Sequence, residues 1–429
     1  MVQEMNTIIE PVIKVNGELE FKGDKSISHR AVLFSAMAEG DSVIKNLSHS
    51  EDVFSSLKCL NQLGINHKFE NDQLTVSGKG IFGFTKSNSP LDSGNSGTTA
   101  RLLSGILAMQ KFDSEIVGDE SLSRRPMKRI TEPLEMMGAK FESNENITLP
   151  LKILPSNSLR PINYKLPVAS AQIKSAVLLA GLHLDEKTSV IELLPSRDHT
   201  ERMLELNGIE VDGGIQVFSS KKDYPKAHKY IVPGDISSAA FFIILCLLKN
   251  DSELRIKNIL LNEGRTGFIE ILQAMGAVFK FENFKICSNE FTGDLIVKSF
   301  NLKNIVVPKE KIPSIIDEIP ILAVAGIFAE GDFEIRNCKE LRVKETDRIS
   351  SLCMNFKEAG LKVTEFEDGF RLEGSVTNTS PKYNSFGDHR IAMAFAILGA
   401  LTTGCEIENF ECAKISNPEF ILQLNSITE

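Results

Sequence analysis

The sequence predicts an α+β fold: two similar domains, each of three repeated helix/strand units whose helices are buried. Three observations lead there. At 429 residues the chain exceeds what one hydrophobic core supports, so two domains are expected. A helix–glycine–strand pattern recurs along its length, and apolar stretches too long for strands alternate with it.

The recurring pattern occurs five times, as Leu57 to Gly64, Leu134 to Gly138, Met203 to Gly208, Ile271 to Gly276 and Phe356 to Gly360. The glycines fall 74, 70, 68 and 84 residues apart. Each is expected to close its helix in the left-handed conformation, which glycine adopts without a Cβ clash. The strand that follows alternates in character, as in Ile209-Glu-Val-Asp, and so predicts sheets with one face covered by helices.

The second element occurs six times, as Ser26 to Ala38, Gly97 to Gln110, Ser170 to His183, Asp235 to Leu248, Ile319 to Ala329 and Asp388 to Leu401. Each is nearly apolar on every side, the mark of a buried helix. Polar residues crowd the opening end of these stretches. Capping explains the Ser and Asp residues and suffices for Asp235-Ile-Ser-Ser. It does not explain Lys25, Arg30 and Arg390, because cations are unfavourable beside a helix N-terminus. Converging N-termini would instead form an electropositive hollow suited to anions.

Six units of roughly 70 residues divide into two groups of three. Pro233-Gly234 is the best crossover between them. The expected N-terminal lobe is 19–232, and the C-terminal lobe 1–18 with 233–429, with hinges near 16–20 and 230–235. A strand over Ile8 to Val15 would then belong to the C-terminal lobe.

Composition narrows the function. With 42% hydrophobic and 24% charged residues the chain has the makeup of an ordinary globular protein. A net charge of -9 argues against a nucleic-acid binder. No apolar run reaches a membrane span, and no secretory or transit signal is legible, so a cytoplasmic enzyme is expected. The seven scattered cysteines have no CxxC spacing and read as reduced thiols. No His/Cys ligand set is present, so neither a metal nor a cofactor is expected.

Several segments hold residues suited to anion binding or acid–base chemistry, and each taken alone also has a structural reading: a capped helix start, a flexible turn, surface arginines or a solvated helix with ion pairs. Gly23-Asp-Lys-Ser-Ile-Ser-His-Arg30 gathers Lys25, Ser26 and Arg30 at one helix start, without the spacing of a Walker A loop. Gly94-Asn-Ser-Gly97-Thr-Thr-Ala-Arg101 can bring backbone N–H groups close to a carboxylate or phosphate. Arg124-Arg125-Pro126-Met supplies guanidinium groups, the residue type for bidentate anion clamps. Ser170-Ala171-Gln172-Ile-Lys174 and Ser196-Arg-Asp-His-Thr-Glu201 add hydroxyls, an amide and further cations, with His199 read as structural. In Arg342-Val-Lys344-Glu345-Thr-Asp-Arg348 a helix would put Lys344 and Arg348 on one face beside Glu345. Asp317 enters an apolar helix, and a carboxylate there is costly unless paired or used as an acid or base. Asp388-His-Arg390 opens the last buried stretch.

Together these segments resemble the enolpyruvyl transferases, in the branch that uses shikimate 3-phosphate. The resemblance covers Gly23 to Lys414, with GDKSISHR (23–30), GNSGTTAR (94–101), RRPM (124–127), SAQIK (170–174), RDHTE (197–201), RVKETDR (342–348) and DHR (388–390) in the family's order. It implies an inside-out barrel of two three-unit domains that close on their substrates. The implied reaction transfers the enolpyruvyl group of phosphoenolpyruvate to the 5-hydroxyl of shikimate 3-phosphate, toward chorismate and the aromatic amino acids.

The resemblance assigns Lys25, Ser26, Arg30, Ser170, Ala171, Gln172, Ser196, Asp317 and Lys344 to shikimate 3-phosphate. It assigns Lys25, Gly97, Arg125, Gln172, Arg348, Arg390 and Lys414 to phosphoenolpyruvate. Asp317 and Glu345 match the family's acid–base pair, with Lys25 as acid toward the departing phosphate. Three residues depart from the pattern. Ala171 stands for a common serine, Leu102 for a common proline and Glu340 for a common asparagine. GDKS, RDHTE and SAQIK look like the family's second class, often less sensitive to glyphosate, although Asn262-Glu-Gly-Arg265 fits that class imperfectly. The rival readings are the UDP-N-acetylglucosamine enolpyruvyl transferases, whose loop cysteine before Ala-Pro is missing here, and a non-catalytic anion-binding paralogue. The expected partners are the two small substrates alone, with no nucleic acid and no membrane, and the expected state is a monomer.

Overall fold

The computed structural model describes residues 6–428. Its contacts separate the chain into two units. One comprises Lys22–Pro233 with Ile286–Glu290; the other comprises the chain up to Phe21, Gly234–Lys285 and the chain from Phe291 onward. The short segment Ile286–Glu290 is the turn between two long strands, Phe279–Cys287 and Glu290–Lys298. The sequence holds no signal for its assignment.

In the Lys22–Pro233 unit three helices form the core: Lys25–Met37, Gly97–Leu107 and Ala171–Gly181. Almost all of their residues are buried, which is why no polar face was legible in them. Two of them pack closely. A Cβ on Gly105 would lie 2.3 Å from the Ala176 carbonyl oxygen, a distance only glycine permits.

Each core helix is accompanied by a four-stranded sheet. The first runs Lys229–Ile231, Glu39–Lys45, Gln73–Lys79, Asn66–Glu70; its first pair is parallel and the rest antiparallel. The second (Leu91–Asp92, Ser114–Val117, Leu151–Leu154, Lys140–Glu142) repeats that order. So does the third (Asn163–Lys165, Thr188–Glu192, Gly214–Ser219, Gly208–Val211). The repeat seen in the sequence is therefore a repeat of topology.

The other unit has its own three core helices, Ile236–Leu248, Ile319–Phe328 and His389–Leu401. Its first sheet adds Asn16–Glu20 parallel to Glu253–Leu260, beside the long hairpin. Its second has three strands, Phe333–Ile335, Gly369–Glu373 and Lys362–Phe366, and the parallel edge is reduced to a single Lys303–Glu330 bridge. Its third pairs Lys382–Asn384 parallel with Cys405–Glu408, and Thr7–Ile9 completes it antiparallel. Phe420 packs on Phe241 and Phe242, and Phe395 on Phe356 and Tyr383.

Three sequence expectations change in detail. The strand predicted from Ile8 to Val15 stops at Ile9, and Val15 makes only an isolated bridge to Thr428. Pro11 interrupts it, since proline has no N–H for a ladder. Gly64, Gly138, Gly276 and Gly360 do adopt left-handed φ after their helices, at 84, 93, 110 and 92°. Gly208 does not. The helix His199–Leu204 ends at Glu205, which takes the left-handed turn itself (φ 52°), and Gly208 opens the next strand. Third, Lys344 and Arg348 do not share a helix. Lys344 is extended, and Asp347 caps a helix that starts at Arg348.

Candidate functional site

Many of the candidate residues lie at the starts of the core helices, where side-chain caps fix the local backbone. Asp24, Ser96, Ser170, Asp235 and Asp388 each accept a backbone N–H of the first turn through the side chain. The sixth helix, Ile319–Phe328, starts at Glu318 and Pro320 with no side-chain cap. Its carboxylates Asp317 and Glu318 are used elsewhere.

In the Lys22–Pro233 unit, Lys25 pairs with Asp52 at 2.9 Å. Ser26 lies beside it on the same turn and lends its carbonyl to Arg30 Nη1 at 2.9 Å. Arg30 is buried and donates also to Thr200 Oγ1 (2.7 Å) and Ser175 Oγ (2.8 Å). Burial lowers its pKa to about 10, opposed by the fields of Glu201 and Asp24, so it stays charged at neutral pH. Arg125 is buried and donates to Asn95 Oδ1 (2.9 Å) and Ser121 Oγ (3.2 Å).

Gly97 sits where a Cβ would meet Arg101 Nη1 at 2.8 Å and Arg125 Nη1 at 3.5 Å. Its bare backbone thus gives both guanidinium groups their space. Arg101 donates to Gln172 Oε1 at 2.6 Å, and Gln172 donates to Thr98 Oγ1 at 3.0 Å. Ser170 Oγ accepts from Ile173 N, and Ala171 begins the helix, with its N–H among those that lack an intrahelical acceptor. Ser196 donates its hydroxyl to Glu192 Oε2 at 2.7 Å.

In the other unit Arg348 is the centre, 1% exposed in its side chain among three carboxylates. Its Nε donates to Asp388 Oδ2 at 2.7 Å, Nη2 to Glu345 Oε2 at 2.6 Å and Nη1 to Asp317 Oδ1 at 3.3 Å. Burial works against the cation, but Asp388, Glu345 and Asp317 outweigh it and hold the Arg348 pKa above its ordinary value. Lys344 Nζ reaches the same Asp317 oxygen at 3.3 Å. Arg390 Nη1 donates to the Asp317 carbonyl (2.9 Å) and to the buried Glu318 (3.1 Å). Asp317, Lys344, Glu345, Arg348 and Arg390 are therefore brought together. Lys414, whose side chain is 54% exposed, pairs with Glu411.

The geometry adds residues that the sequence did not single out. Arg101 was visible only as the last letter of a motif, Asp388 as a cap, and Glu318 only as the neighbour of Asp317. His199 is buried against Glu290 at 2.6 Å, as a structural histidine should be. Among the described residues no group of three or more His, Cys, Asp or Glu is placed to hold a metal ion. No helix among them is long and apolar enough to cross a membrane.

The family model for EPSP synthase (3-phosphoshikimate 1-carboxyvinyltransferase) matches residues 9–424. A protein of Petrotoga mobilis named 3-phosphoshikimate 1-carboxyvinyltransferase is 45% identical, covering 97% of this chain and 98% of its own. One of the same name from Caldicellulosiruptor saccharolyticus is 45% identical over the same shares. The structure of EPSP synthase from Acinetobacter baumannii superposes with a TM-score of 0.84 at 39% identity, covering 98% of both chains. The enolpyruvyl transferase NikO from Streptomyces tendae shares the fold at a TM-score of 0.77 and 14% identity, over 99% of this chain and 97% of its own.

Proposed function

Because the chain belongs to the EPSP synthase (3-phosphoshikimate 1-carboxyvinyltransferase) family, we infer that it transfers the enolpyruvyl group of phosphoenolpyruvate to the 5-hydroxyl of shikimate 3-phosphate, releasing phosphate. This is a step of the shikimate pathway toward aromatic amino acids. The observation that carries the reading beyond family membership is the Arg348 cluster, in which one buried cation faces the carboxylates of Asp317 and Glu345.

The reaction is an addition followed by an elimination. The 5-hydroxyl oxygen bonds to the central carbon of phosphoenolpyruvate and gives its proton to Asp317. The methylene carbon gains a proton from Glu345. In the second step Glu345 takes a proton back from the resulting methyl group, the C–O bond to phosphate breaks, and Lys25 protonates the departing oxygen. In the resting structure Arg348 Nη2 donates to Glu345 Oε2 at 2.6 Å. Glu345 becomes a donor when the anionic groups of phosphoenolpyruvate take over Arg348 and leave the carboxyl free to hold a proton.

Binding follows from charge. The two substrates bring two carboxylates and two phosphates. Arg348, Arg390, Arg125, Lys25 and Lys414 take phosphoenolpyruvate, with Gly97 and Gln172 against it. Ser26, Arg30, Ser170, Ser196, Gln172 and the Ala171 N–H take shikimate 3-phosphate, and Lys344 and Asp317 take its ring hydroxyls. The protein works in the cytoplasm as a monomer, with its two substrates as its only partners.

The deciding experiment is phosphate release from phosphoenolpyruvate with either shikimate 3-phosphate or UDP-N-acetylglucosamine as acceptor. Release with the first alone is expected. Release with the second alone would overturn the acceptor, and release with neither would leave an anion-binding paralogue.

A further inference from the structure

The Lys22–Pro233 unit holds a buried charge cluster that the roles above do not use. Lys174 lies one turn into the core helix Ala171–Gly181, and its side chain is cut off from water. It pairs with Glu192 at 2.7 Å and Glu201 at 2.5 Å. A lysine buried this deeply is costly unless paired, and here one cation faces two carboxylates. With both carboxylates ionised the cluster carries one surplus negative charge; burial raises the Glu201 pKa against the pull of Lys174, and Arg30 feels the field of Glu201.

Glu192 ends the strand Thr188–Glu192, and its two oxygens face different ways. Oε1 is held by Lys174. Oε2 accepts both the backbone N–H of Ser196 (3.1 Å) and its hydroxyl (2.7 Å). An anionic oxygen thus sits where two donors of one residue converge, which is the arrangement a phosphate oxygen would require of Ser196.

We propose that Glu192 tunes the affinity for the phosphorylated acceptor: its carboxylate, fixed by Lys174, stands in for the 3-phosphate on Ser196 and is displaced when the phosphate binds. The proposal rests on the reading that sets Ser196 against the 3-phosphate. A phosphate dianion competes with a carboxylate for the two donors by its greater charge, and the displaced Glu192 keeps its Lys174 partner. An acceptor with a neutral hydroxyl in that place cannot displace it. Such a molecule leaves both donors with Glu192, so the stand-in lowers the affinity for the phosphorylated acceptor alone while keeping the two donors paired in the empty site.

The test is calorimetric binding of shikimate 3-phosphate and of unphosphorylated shikimate to the full-length protein and to Glu192→Gln. The amide keeps the shape, removes the surplus charge and leaves Lys174 balanced by Glu201. Shikimate 3-phosphate should bind about tenfold more tightly to the variant, in line with hydrogen bonds to charged groups. Shikimate should gain much less. Weaker binding of shikimate 3-phosphate would mean that Glu192 orients Ser196 for the substrate, which overturns the stand-in. Equal tightening of both molecules would overturn it too, as general loosening. Ser196→Ala separates the two layers. If that variant binds shikimate 3-phosphate like the parent, the placement of Ser196 fails; if it binds worse while Glu192→Gln gains nothing, only the stand-in fails. Glu192→Ala, which also leaves Lys174 with Glu201, carries the same expectation should the amide not fold.

Discussion

At the scale of single residues, the proposed chemistry rests on Asp317. Replacing it with Asn keeps its size and its ability to accept from Lys344 and Arg348, but removes the base. Turnover should fall by about 10²–10⁴-fold while calorimetry still detects shikimate 3-phosphate. Near-parental turnover would take Asp317 out of the mechanism. Gly97 offers a second test. A methyl group there would press on the Arg101 guanidinium, which holds Gln172, and approach that of Arg125. Overpacking of this kind costs roughly 1–3 kcal/mol. Glyphosate is longer than phosphoenolpyruvate, so Gly97→Ala should raise its inhibition constant well beyond the rise in the donor's Michaelis constant. Equal weakening of both would remove Gly97 as the discriminating contact. Asp317 stands out in the sequence because a carboxylate entering an apolar helix is costly unless paired or used as an acid or base. Gly97 is reached only through the resemblance of its motif to the family. Arg101 was missed, since its value lies in a partner 71 positions away.

At the scale of elements, the core helices were legible because they lack a polar face, and the strands because they alternate. What periodicity could not show was where local geometry overrides a motif. The run from Lys344 to Arg348 has helical spacing, yet Asp347 caps the helix and leaves Lys344 outside, so the two cations meet at Asp317 from different elements. Glu205 turns left-handed where Gly208 was expected to, because the helix ends three residues earlier than its apolar pattern implies. The packing of the helices Gly97–Leu107 and Ala171–Gly181 was equally invisible. It depends on Gly105, whose added methyl group would strike the Ala176 carbonyl oxygen at 2.3 Å. Backbone cannot yield as a side-chain tip can, so Gly105→Ala should destabilise the protein by about 1–3 kcal/mol. Chemical denaturation would measure this, and an unchanged midpoint would show that the two helices separate freely.

At the scale of the whole molecule, sequence symmetry hides a chemical asymmetry between the two units. The Lys22–Pro233 unit holds six of the seven histidines, and among them burial lowers the pKa values of His29, His67 and His183. His183 shows the cause. Burial lowers it to about 4, its Nδ1–H donates to the Leu179 carbonyl and its Nε2 accepts from the Gln110 amide. A second proton on Nε2 would face a donor. Below pH 6.5 the unfolded chain therefore binds protons that this unit refuses, so its stability is full above pH 6.5 and falls as the pH drops toward 4. His183 alone accounts for a loss of roughly 2 kcal/mol at pH 5. Amide exchange at pH 7 and pH 5, corrected for intrinsic rates, should show the helices Lys25–Met37, Gly97–Leu107 and Ala171–Gly181 losing protection first. Ile236–Leu248, Ile319–Phe328 and His389–Leu401 should lose less. His183→Gln, with a neutral side chain that can keep both hydrogen bonds, should reduce the difference between the two sets. Equal loss in both sets at pH 5 would show that acid acts on the molecule as one cooperative body, and the histidines would then not be its point of entry.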